Sequence, residues 1–264
     1  MHGGVMHAQL SKWREDRTLA HCVPLAIILI LGLIGGMVIP GIDFFRDHTE
    51  LPWWRRQPEY WMLGLEVILG TGSLAFFWKH YELQWSRWVW FGAVMGAVGI
   101  GFWILPTQIY DWMRLEGEAP FVLHYLGVQA RLDGFDASLF EQGSGAWWVA
   151  VITRFWRAVV LVAFAEEVFW RGFLMRYLLD MDGPEGRFWK VPFGKPSWKT
   201  YGIVTFLFMI AHHWSDYAGA IVYGSLTYWV TVRTRSLLAV VVMHAVANLL
   251  MGIYALQFGK YGLW

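Results

Sequence analysis

Charge is what this chain has least of. Only 16% of its 264 residues are Asp, Glu, Lys or Arg, where a water-soluble domain carries about a quarter. Much of its surface must therefore face something other than water. The charges present nearly cancel, to +1 at neutral pH. No basic stripe remains to track a phosphate backbone, which excludes nucleic acid as a partner. The single cysteine, Cys22, excludes an internal disulfide and a zinc–thiolate set. The sequence has no internal repeat, no low-complexity tract and no soluble-domain boundary. The metalloprotease signature HExxH is missing. Ser144, in Gln142-Gly143-Ser144-Gly145, lacks the first glycine of a GxSG serine-protease motif.

Apolar and aromatic residues fill the space. Hydrophobic residues make up 57% of the chain, and 19 are Trp. Many tryptophans flank apolar runs (Trp53, Trp54, Trp85, Trp88, Trp147, Trp148, Trp198). An indole suits the membrane–water boundary because its ring is apolar while its N–H needs a partner. A span needs about 20 residues at 1.5 Å each. Seven segments are candidates: Cys22–Ile42, Trp61–Trp78, Trp88–Tyr110, Ala146–Asp180, Thr200–His213, Tyr217–Val232 and Ser236–Gly259. Lys12, Arg14 and Arg17 precede the first, but the run is long for a signal sequence and no A-x-A site follows, so it reads as a retained anchor. If residues 146–180 cross twice, the spans number eight. The fold class is an all-α polytopic helical bundle.

The segment 111–145 differs in kind. Asp111, Glu116, Glu118, Asp133, Asp136 and Glu141 outweigh Arg114 and Arg131, which predicts an acidic extramembrane loop. A basic loop runs from Met181 to Lys199, with Ser197 as a helix N-cap. Seven spans with a cytoplasmic N-terminus place the basic loop, the amino-terminal cations and Arg233 and Arg235 inside, and the acidic loop outside, as the positive-inside rule requires.

Ionisable groups inside spans are costly, and so they point to function. They cluster in three segments. In the first, Glu167 and Arg171 are four apart with the acid N-terminal, the favourable order for a helical ion pair. Glu166 points about 100° away from that pair on an α-helix. A carboxylate without a salt-bridge partner is suited to proton transfer. The second segment holds Phe208, His212 and His213; the third holds His244 and Asn248 on one face, four residues apart. Counted from the cytoplasmic helix ends at 1.5 Å per residue, Glu166, His212, His244 and Asn248 lie at roughly 21, 22, 14 and 20 Å, one shared layer. Arg154 and Arg157 are expected to snorkel to the outer interface. Glu66 has a packing or lid role, and Cys22 is inert.

The set EExxxR, FxxxH, HxxxN, in that order on successive apolar helices, resembles the CAAX prenyl protease and bacteriocin-processing family of intramembrane glutamic endopeptidases. It is carried by Glu166-Glu167…Arg171, Phe208…His212 and His244…Asn248. Phe169-Trp170-Arg171-Gly172-Phe173 and Thr234-Arg235-Ser236-Leu237 further resemble the exosortase-associated subgroup. The chain reads as one integral membrane domain over 1–264, with three spans in 1–110 and the loop 111–145, and the resemblance makes the helices over 146–264 the catalytic ones. It implies that Glu166 and His212 activate a water, that His244 and Asn248 donate to the oxyanion, and that Arg171 holds Glu167. Its expected substrate is a membrane-associated protein or peptide, cut near the membrane face in a bacterial inner membrane, with a functional link to an exosortase system. No cofactor is expected. The alternatives are a zinc peptidase using Glu166, His212 and His244 as ligands, a transporter, and a non-catalytic scaffold.

Overall fold

The computed structural model describes residues 2–46, 50, 52–56, 58–135, 137–181 and 187–264. Asp136 of the acidic loop and residues 182–186 of the basic loop lie outside the described residues. The described residues are mostly helical and contain no strand. The principal helices are α1 (His2–Glu15), α2 (Arg17–Arg46), α3 (Glu59–Phe76), α4 (Trp88–Trp112), α5 (Gly145–Asp180), α6 (Trp198–Ile210), α7 (Tyr217–Thr234) and α8 (Leu237–Phe258). Among the described residues, four helices are long and apolar enough to cross a membrane: Arg17–Gly35 within α2, α4, α5 and α8. Tyr60–Phe76 within α3 and Trp198–Ile210 are apolar but shorter. The protein is an all-α membrane helical bundle.

The chain divides into two compact units, with the division along α5 falling between Glu166 and Glu167. The first comprises residues 1–81 and 137–166. Here Ser144 caps α5, its Oγ accepting from the Trp147 N–H at 3.2 Å. At Gly70 the Leu161 side chain of α5 packs directly onto α3, and a Cβ there would come within 2.6 Å of it. Arg157 does not snorkel; its Nε donates to the Glu66 carboxylate, 91 residues away in sequence. Burial explains the change, since Glu66 is enclosed and a buried carboxylate needs a cation. Tyr81 closes this unit by donating its hydroxyl to the Ala20 carbonyl at 2.8 Å, and burial raises its pKa above the usual phenol value.

The second unit comprises residues 82–136 and 167–264. Its spine is α4 against α8. Gly92 and Gly96 form a small-xxx-small step that lets the two backbones meet. A Cβ on Gly92 would lie 2.1 Å from the Ala239 carbonyl oxygen, and one on Gly96 2.2 Å from that of Met243. Gly96→Ala is therefore expected to force the helices apart, at about 1–3 kcal/mol. Gly101→Ala, on the same helix with nothing within 4 Å, should leave the thermal unfolding midpoint in detergent unchanged. Equal midpoints for both variants would show that the helices do not meet there.

Residues 113–135 fold as a cap rather than as a loose loop. Ala119 and Val128 bury against Tyr110, with Leu115 and Leu123 packed around them. Arg131 reaches across to donate to the Ser215 carbonyl and to Asp216, both at 2.7 Å. The cap thus grips the turn between α6 and α7.

Candidate active site

Helix α5 is not uniformly α. It is a π-helix over Trp156–Val162 and again over Val168–Leu174, with one α-helical stretch, Ala163–Glu167, between them. Such wide turns are frequent at functional sites. The two motif carboxylates sit at the end of the α stretch. Glu166 is half-buried, and its Oε2 has no hydrogen-bond partner among the described residues.

Glu167 is fully buried. Its Oε1 accepts from Arg171 Nη1 at 3.0 Å, the expected i,i+4 pair. The same oxygen receives His244 Nδ1 at 2.8 Å from α8. Since a carboxylate held by a guanidinium can only accept, Nδ1 carries the proton. This leaves His244 Nε2 as the atom free to act on something else. Arg171 is itself fixed on three sides. Its Nη2 donates to Thr227 Oγ1 of α7 at 2.8 Å, and its guanidinium lies 5.2 Å from the Phe208 ring centroid. A buried ion pair is stable only when its remaining hydrogen-bonding groups are satisfied, and Thr227 satisfies one of them.

His212 stands elsewhere than the spacing suggests. Helix α6 ends at Ile210, so His212 lies just past the helix end, not within a span. Ser197 does cap the helix at its start, accepting from the Thr200 N–H. At the other end His212 Nδ1 donates to the Phe208 carbonyl at 2.7 Å, satisfying an acceptor that the helix leaves open. Its Nε2 is then the basic nitrogen of the neutral ring. His213 turns away to Ser215 Oγ, 2.8 Å from its Nδ1.

Aromatic rings join the two imidazoles within the second unit. Trp103 meets His212 edge-on at 5.3 Å between centroids and Tyr223 at 5.9 Å; Tyr223 meets His244 at 5.8 Å. Asn248 follows His244 by one turn of α8, half-buried. The structure thus brings Glu167, Arg171 and His244 into direct contact, with His212 one aromatic layer away. Thr227, Tyr223 and Trp103 were not among the residues singled out from sequence. The signal available was the pair Thr227 and Thr231, one turn apart in a largely apolar segment; the structure buries both, and a buried hydroxyl needs a partner.

Residues 146–250 match the family model described as type II CAAX prenyl endopeptidase Rce1-like. This segment is similar to the CAAX protease family. The match covers α5 to α8 up to Leu250 and so contains all three motifs. It names the family and not the exosortase-associated subgroup. Comparisons with curated proteins and with solved structures found no match. CAAX proteases are hydrolases that act on membrane-associated proteins, and the match supports a CAAX-type intramembrane protease. Among the described residues, no group of three or more His, Cys, Asp and Glu side chains is placed to hold a metal ion.

Proposed function

We propose that the chain is an intramembrane glutamic endopeptidase that hydrolyses a peptide bond near the membrane face. The observation that carries the reading is the Glu167 carboxylate shared by Arg171 and His244 within the CAAX protease segment. It divides the paired carboxylates into two kinds. Glu167 is committed to structure, which leaves its neighbour Glu166 for chemistry.

In this mechanism Glu166 takes a proton from water, and His212 Nε2 accepts a hydrogen bond from the same water to orient it. The hydroxide attacks the scissile carbonyl carbon, and the oxygen gains the negative charge. His244 Nε2 and the Asn248 carboxamide donate to that oxyanion, usually the largest electrostatic contribution in acyl transfer. For Nε2 to donate while Nδ1–H is given to Glu167, the His244 ring must carry both protons. The anionic Glu167 beside it supplies the counter-charge. The proton on Glu166 then passes to the leaving amine, so no acyl-enzyme forms. The substrate is a membrane-associated protein, processed at or near its C-terminus.

Expression of the wild-type protein is expected to generate new C-terminal ends on membrane proteins, and Glu166→Gln to prevent them. The zinc alternative separates cleanly. Cleavage by purified protein should survive a strong chelator at millimolar concentration, whereas a zinc enzyme would lose activity and regain it with added zinc.

A further inference from the structure

We propose that Thr227 is a positioning residue for His244, acting through Arg171 and Glu167. The inference rests on the role given to His244 above and extends it to a helix that carries none of the three motifs. Thr227 lies in the middle of α7 and is fully buried. Its hydroxyl has a single proton, and that proton is committed: Oγ1 donates to the Tyr223 carbonyl one turn back, at 2.5 Å. Towards Arg171 Nη2, at 2.8 Å, the oxygen can then act only as an acceptor. The back-bond also locks the rotamer of a β-branched side chain. The Thr227 oxygen is therefore a fixed point, held by its own helix. Thr231 continues the same stripe, its hydroxyl donating to the Thr227 carbonyl at 2.7 Å.

From that point the geometry runs in one direction. Thr227 holds Nη2, the Phe208 face lies 5.2 Å from the guanidinium carbon, and Nη1 is left aimed at Glu167 Oε1 at 3.0 Å. Oε1 in turn receives His244 Nδ1 at 2.8 Å. Glu167 Oε2 has no hydrogen-bond partner among the described residues. Take the Thr227 oxygen away, and Nη2 becomes a buried donor without an acceptor. Glu167 Oε2, on the carboxylate that Nη1 already holds and without a partner of its own among the described residues, is an acceptor able to satisfy it. The guanidinium would turn to grip both carboxylate oxygens, a geometry that Arg favours. The carboxylate would rotate with it and release His244 Nδ1. The His244 ring then loses the bond that sets its tautomer and orientation.

The test reads the ring directly. Protein uniformly labelled with ¹⁵N at its nine histidines is placed in lipid nanodiscs, and the His244 signals are assigned by their loss in His244→Gln. The wild type should show a downfield, slowly exchanging Nδ1–H. Thr227→Ser, which keeps the hydroxyl, should keep that signal. Thr227→Val keeps the shape and removes the oxygen; its Nδ1–H should exchange roughly tenfold faster, the ratio expected on losing a charge-assisted bond. Should Thr227→Val fail to fold, Thr227→Cys, whose sulfur is a weak acceptor, takes its place with the same expectation. An unchanged Nδ1–H in the variant without the oxygen overturns the proposal, and so does its loss in Thr227→Ser. The measurement needs no substrate. Absence of cleavage by the wild type would count against the peptidase reading and leave this result standing.

Discussion

Glu166→Gln should abolish processing while leaving the protein folded. The expected loss of cleavage rate is about 10²–10⁴-fold, the usual contribution of a positioned general base. The amide occupies the volume of the carboxylate, and Glu166 Oε2 makes no hydrogen bond among the described residues. The unfolding midpoint should accordingly stay close to that of the wild type. Glu167→Gln is the informative contrast, because the neighbouring carboxylate serves Arg171 and His244 together. That variant should lose stability and activity in parallel. The measurement compares the C-terminal ends of membrane proteins by mass spectrometry, in cells carrying either form at matched expression. Ends seen only with the wild type identify the substrate as well as the activity. Identical sets from both forms would remove Glu166 from the chemistry, and equal stability of the two Gln variants would undo the division of labour between the carboxylates.

Arg171→Met carries the largest expected structural effect. Arg171 and Glu167 are both essentially inaccessible to solvent. Removing the cation alone leaves a carboxylate enclosed with one imidazole, and breaking a buried pair in this way costs about 3–5 kcal/mol. An exposed pair at the same spacing would contribute under about 1 kcal/mol. The double variant Arg171→Met with Glu167→Gln should recover part of the loss, because no buried carboxylate is then left without its guanidinium. Denaturant or thermal unfolding in detergent measures both. A change below about 1 kcal/mol for Arg171→Met would mean that the pair is solvated, and would remove the fixed support from His244.

These expectations draw on two kinds of information. The Glu167–Arg171 pair was legible in the sequence because its partners are four residues apart on one helix. The Ser197 cap was legible for the same reason, its hydroxyl answering an N–H three residues on. Gly259, at the close of α8, takes the left-handed conformation that ends helices. Where the reading went astray, a more distant or competing partner had intervened. The rows of apolar residues through His213 suggested a continuing span. The helix instead stops at Ile210, and the His212 ring binds a carbonyl that a further turn would have used. Arg157 looked fit to snorkel until Glu66, from another helix, supplied its anion. The π-helical stretches around Glu166 and Glu167 were invisible to a reading that assumes 3.6 residues per turn.

The sequence by itself determined that this is a helical membrane protein, where most of its helices begin and end, and where its three polar motifs stand along them. Hydropathy, capping and i,i+4 pairing act over a few residues and need no knowledge of neighbours. Only the tertiary structure decided that His244 shares a carboxylate oxygen with Arg171, and that Thr227 stands behind the guanidinium. Those partners lie 77 and 56 residues away. Their meeting depends on which helix faces pack together, and in this chain glycines such as Gly92 and Gly96 let α4 and α8 come close enough to set His244 in place.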